Sequence, residues 1–171
     1  MDLVKLSIPW TFVRKNVHLA WRDILFGIDN ELLDPDVPIE MATDQIATSE
    51  SPSAVLIELA GLGKGERSRD LVKQLATTEL DPESSVVHDK WLYLVLAWVY
   101  EHRAEYSDPL EVVEKIYADF GYPPRIACFV RYMPTCEPDL GSQELNEQRL
   151  YEKWKQYLEE ASVNGEIPDR S

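Results

Sequence analysis

Cysteine is scarce. Cys128 and Cys136 are the only two in 171 residues, and neither lies in a CxxC pair or beside a metal-spaced histidine. A thiolate zinc motif is therefore absent from the sequence. Positive charge is in deficit: seventeen basic against thirty-one acidic side chains give a formal net charge of -14 and a pI near 4.6. Such a chain is repelled by phosphate backbones and anionic lipid, which argues against nucleic acid and membrane surfaces as partners. Long apolar runs are missing as well. No window approaches eighteen consecutive apolar residues, and the start, MDLVKLSIPWTFVRKNVHLAW, carries no uninterrupted apolar core after a basic opening. A soluble, cytoplasmic protein is the expectation. The sequence also contains no GxSxG elbow, no HExxH pair and no Glu-x-x-His repeat, so an enzyme is the less favoured class.

What is present is enough to fold. Five Trp and eight Tyr within a 44% hydrophobic composition exceed what a disordered chain carries, and the length fits a single domain, residues 1–171. Turn residues divide the chain into helix-length pieces. Val17, Ala20, Trp21, Ile24, Leu25 and Ile28 recur at helical spacing, with Asn16 as the expected N-cap and Gly27 and Asn30 weakening the end. Asp36 is expected to cap a helix over Ile39 to Ala47, and Ser51 with Pro52 to open another through Ala60, stopped by Gly61 and Gly63. Further helices are expected over Arg67 to Thr77 and over Ser85 to His102, the latter apolar on most of its circumference. Asp108 with Pro109 starts one that Gly121 closes, Pro123 and Pro124 open a short one through Val130, and Ser142 caps a last one ending at Asn164 and Gly165, with a loose tail beyond. The fold class follows: all-α, about eight short antiparallel helices around a central apolar helix.

Chemistry is harder to find. His88 and His102 stand fourteen positions apart in one expected helix, roughly 21 Å along it, and cannot share a metal ion. His102 with Glu105 reads as a solvated helix end. GLGKGE, from Gly61, follows a helix where a phosphate loop would need a strand. No cofactor and no metal are expected. One feature exceeds the background: between Arg22 and Lys64 no Lys or Arg occurs, while Asp23, Asp29, Glu31, Asp34, Asp36, Glu40, Asp44, Glu50 and Glu58 supply nine acids. These could form a negative face that steers a basic protein partner, with Asp29, Glu31, Asp34, Asp36, Glu40 and Asp44 at its centre. The plainer explanation is a solvated, solubilising surface.

Two stretches carry a resemblance: VHLAWRDILFGIDNELLDPDVPIEMA, and more specifically DPLEVVEKIYADFGYPPRIACFVRYMP, with its IYADF-x-YP and FVRYMP strings. Together they resemble a family of small uncharacterised bacterial proteins, a domain of unknown function, over much of residues 16 to 134, leaving the C-terminal helix outside. The resemblance implies a bacterial cytoplasmic protein with no assigned catalytic residues; by analogy, small acidic families of this kind look like immunity partners of toxins. The residues admit two readings of their own. Tyr117, Phe120, Tyr122 and Phe129 around Gly121 make an aromatic corner between helices, or else Tyr117, Asp119, Tyr122, Arg125, Arg131 and Tyr132 line a pocket for an anionic small molecule. The leading functional expectation is an acidic, immunity-type binding protein for a basic toxin domain; the alternative is a ligand-binding domain or enzyme at residues 117–132. A homodimer anchored by Trp10, Trp154 or Tyr157 is a third.

Overall fold

The computed structural model describes residues 4–80 and 84–163. Over them the chain forms eight α-helices: α1 Trp10–Asn16, α2 Trp21–Asp29, α3 Val37–Thr48, α4 Ala54–Ala60, α5 Arg69–Thr77, α6 Ser84–Glu101, α7 Pro109–Asp119 and α8 Gln143–Val163. Two 3-10 turns, Arg103–Glu105 and Pro124–Phe129, complete the set. The fold is all-α, and no strand forms among the described residues. The chain divides into two compact units, residues 5–91 and, with Val4, residues 92–163, and the division falls inside α6. As its composition demands, α6 is the most buried helix: every residue from Trp91 to Leu96 is shielded, so no face of it meets solvent there.

In the first unit, α2 packs on α5, α3 on α4, α4 on α5, and α1 touches α3. Ahead of them an extended segment pairs with the α2–α3 connection: the Leu6 and Ile8 amides donate to the carbonyls of Glu31 and Leu32, and Asp34 N–H donates to Ile8. α2 is held at both ends of its buried face. Asp23, 1% exposed, accepts a 2.7 Å hydrogen bond from Lys90 Nζ and another from the Ala20 amide, while Trp91 Nε1 donates to its carbonyl. Four residues on, Gly27 lies under the Trp91 ring, where a Cβ would fall inside van der Waals contact and 2.7 Å from Leu33 Cδ1. Gly27, in the last turn of α2, is thus also a packing residue, and the helix ends two residues later at Asp29 with Asn30 as its C-cap.

The same unit corrects the first helix boundary. Asn16 ends α1 instead of capping α2, and its side-chain amide donates back to Phe12. Val17 to Ala20 run extended, with Val17 and Leu19 buried and His18 exposed, so the apolar spacing mixed two periods. The true α2 cap is distant: the Glu79 carboxylate accepts from the amides of Trp21 and Arg22 at 2.8 and 3.0 Å. For α4, Ser53 rather than Ser51 caps, taking the Leu56 amide. Asp36 stands at the start of α3 but makes no side-chain cap there.

In the second unit, Asp108 accepts the Glu111 amide and Ser142 the Leu145 amide, so the expected starts of α7 and α8 are real caps. α8 packs on the Pro124–Phe129 turn through Trp154, whose ring lies parallel to that of Phe129. The expected helix end at Asn164 and Gly165 and the tail beyond it lie outside the described residues.

Candidate functional site

The acidic stretch is less bare than its sequence suggests. Asp29 is gripped by Arg69 through two bonds of 2.6 and 3.0 Å, Glu31 by Lys5, and Asp44 by Arg14 and by Trp10 Nε1. Asp34 accepts the Asp36 amide, and Asp36 accepts that of Gly65. Bases from outside the run therefore answer four of its nine acids, Asp23, Asp29, Glu31 and Asp44, and the exposed pairs among these interact weakly in water. Glu40, Glu50 and Glu58 remain exposed on α3, the following connection and α4.

The aromatic corner is explained by how α7 stops. Gly121, at φ +74°, donates its amide to Ala118 O, and Tyr122, at φ +62°, donates to Tyr117 O at 2.8 Å. This pair of bonds is a Schellman ending, whose usual apolar contact is made here by the Tyr122 ring standing edge-on to Tyr117 at 5.3 Å. Tyr132 leans on Tyr117 from the other side at 6.2 Å, and desolvation, then the neighbouring Tyr117 and Tyr122, push its hydroxyl above the ordinary phenol value. Asp119 accepts the Val4 amide at 3.0 Å, and Arg125 is exposed. Arg131 is committed: its Nη1 reaches Asp108 at 2.9 Å and its Nε reaches Glu114 at 3.0 Å, tying the chain after the 3-10 turn back to α7. Of the six residues expected to line a pocket, Tyr117, Tyr122 and Tyr132 are in ring contact, with Tyr122 and Tyr132 more than half exposed.

A concavity lies beside Arg131. A cleft of about 840 Å³ opens between the 130–142 connection and the first half of α8, and Arg131 alone among the six lines it. Ala127, Val130, Met133 and Leu150 give it apolar wall, and Cys128 and Cys136, both free and exposed, stand on its rim. Its charged end is built on α8. Arg149 Nε, at 3.3 Å, and Lys153 Nζ, at 2.7 Å, converge on one oxygen of Glu137, while Arg149 also donates to Pro138 O and Asn146 Oδ1. The Lys153 hydrogen bond holds the Glu137 carboxyl below its ordinary value against the opposing effect of burial. Sequence reasoning missed Arg149, Lys153 and Glu137. The i, i+4 spacing of the two cations was the only local signal, and their meeting with a loop carboxylate depends on tertiary structure.

Among the described residues no three His, Cys, Asp or Glu side chains gather as metal ligands, and no helix is long and apolar enough to cross a membrane. His102 stacks on Trp98 at 3.8 Å with Nδ1 2.9 Å from that residue's carbonyl, and His88 meets Phe26 edge-on. Of the dimer anchors, Trp154 is fully buried and cannot serve; Trp10 is tied to Asp44, and Tyr157 packs on Phe129.

Residues 10–162 match the family described as "Uncharacterized protein conserved in bacteria (DUF2247)". The chain belongs to that family. The match takes in α8, so the expectation that the C-terminal helix lies outside the family is corrected, and the cleft lies wholly within the family region. No curated protein and no solved structure gives a significant match to the chain.

Proposed function

We propose that this bacterial protein is a binding protein whose ligand, a small molecule with an apolar body and an anionic group, enters the cleft between the 130–142 connection and α8. The observation that carries the reading is the cleft itself: its volume lies within the range of small-molecule sites, and apolar wall and convergent polar groups occur together in it. On this reading the expected pocket shifts from residues 117–132 toward α8, with Arg131 common to both. The aromatic corner supports the pocket by fixing where α7 ends and the 3-10 turn begins. The test is a panel of small aromatic and aliphatic acids, phosphate esters, amines and neutral compounds added to labelled protein. Ligands should move the amide resonances of residues 127–153 in a saturable way, and a panel that leaves those resonances still would sink the proposal.

A second reading keeps the acidic surface as an immunity-type dock for a basic toxin domain in the cytoplasm. Exposed Glu40, Glu50 and Glu58 favour it, since α3 and α4 pack together and carry two of them. A basic protein encoded by an adjacent gene should then bind with an association rate that falls with salt, and reversing the three charges to Lys should slow capture. Association indifferent to both changes would rule it out.

A further inference from the structure

The charged end of the cleft is asymmetric in a way that ordinary loop fastening does not require. Two cations on α8, Arg149 and Lys153, with side chains 19% and 23% exposed, share a single carboxylate oxygen. Their partner, Glu137, sits on an irregular connection and is 43% exposed. The cations are thus placed by a regular helix, and the anion by a replaceable loop side chain. Among the described residues the two cations have one ion-paired carboxylate between them, that of Glu137, with Asp139 and Glu147 also in the lining. Asp139 feels the Arg149 charge, but its carboxylate accepts its hydrogen bonds from the Asn146 side chain and the Gly141 amide. Apolar wall from Val130, Met133 and Leu150 continues from this seat into the cleft.

We propose that Arg149 and Lys153 form the recognition seat for a phosphate monoester, and that the Glu137 carboxylate is its built-in occupant, which swings out when the ligand enters. The inference rests on the ligand-binding reading above and names the ligand's head group. A phosphate monoester carries close to two negative charges near neutral pH and three acceptor oxygens, which matches a guanidinium and an ammonium better than a lone carboxylate does. Glu137 acts as a competitor that sets the affinity, and the apolar wall selects the body of the ester.

The experiment uses phenyl phosphate as probe and benzoate as the singly charged control, titrated into the full chain and into Glu137→Gln, Lys153→Met and the double variant. Thermal unfolding confirms that each variant is folded. Removing the competitor should tighten phenyl phosphate binding about tenfold in Glu137→Gln, comparable with one charge-assisted hydrogen bond. Lys153→Met should weaken it by a similar factor in both backgrounds, and benzoate should respond less. The amides of Arg149 and Lys153 should shift on binding. Equal affinity in the native chain and Glu137→Gln, indifference to Lys153→Met, or benzoate binding as well as phenyl phosphate would each overturn the inference. Should neutral or cationic panel compounds move residues 127–153 while phenyl phosphate does not, the seat fails and the ligand-binding reading stands. If nothing moves them, both fail.

Discussion

Asp23 and Lys90 form a buried ion pair, Nζ to Oδ2 2.7 Å, with side chains 1% and 10% exposed, joining α2 to the first half of α6. Because Asp23 also takes the Ala20 amide, the pair couples a helix start to a core contact. Removing one partner strands a charge away from water. Lys90→Met should therefore destabilise the protein by about 3 kcal/mol, and Asp23→Ala by at least as much, in urea unfolding. A change within ~0.5 kcal/mol for either variant would show that water reaches the pair.

Gly27 tests the packing of the same helix. Alanine gains about 1 kcal/mol of helix propensity over glycine in an exposed interior. Here the added methyl meets the Trp91 ring and Leu33, so the overpacking penalty, about 1–3 kcal/mol or more, should exceed that gain. Gly27→Ala should lower the unfolding midpoint and blue- or red-shift Trp91 emission; a more stable variant would mean the ring has room to move.

The carboxylate of Glu79 reaches back across 58 positions to the first amides of α2. Glu79→Gln keeps an acceptor and should cost less than Glu79→Ala, which should lose about 1–2 kcal/mol as a missing cap does. Hydrogen exchange at Trp21 and Arg22 should rise in Glu79→Ala. Unchanged protection there would contradict the capping role.

Asp108 is the place to look for acid sensitivity. Burial pushes its carboxyl up, but the Arg131 hydrogen bond and the Glu111 amide outweigh that and hold it below the ordinary value. A depressed carboxylate stabilises the fold above the unfolded-state value, about pH 4, and that contribution fades as pH falls through the folded-state value. The Asp108 carboxyl carbon should titrate below pH ~4 in the native chain and move back toward it in Arg131→Gln. An Asp108 titration that ignores Arg131→Gln would show that the guanidinium is not its support.

The legible parts of this fold were those with a local cause. Asp108 before Pro109 and Ser142 before α8 announce caps that form as read, and the apolar circumference of α6 foretells its burial. The illegible parts were decided at a distance. α1 hides because its end, Asn16, is also a good start, and only the extended burial of Val17 and Leu19 separates it from α2. The acidic run looks unopposed because Lys5, Arg14 and Arg69 lie beyond its borders in sequence and beside it in space. The cleft escaped for the same reason: Glu137 belongs to a proline-rich connection and its two cations to a helix, so neither stretch hints at the other.

The string from Ile116 to Pro123 is, in this molecule, an instruction for halting a helix and reversing the chain, written in a glycine, two left-handed turns of backbone and a pair of tyrosines. Proteins retrieved on the strength of those letters would share a way of turning before they shared any ligand. Kinship of purpose is better sought in whether they keep a cation at positions 149 and 153.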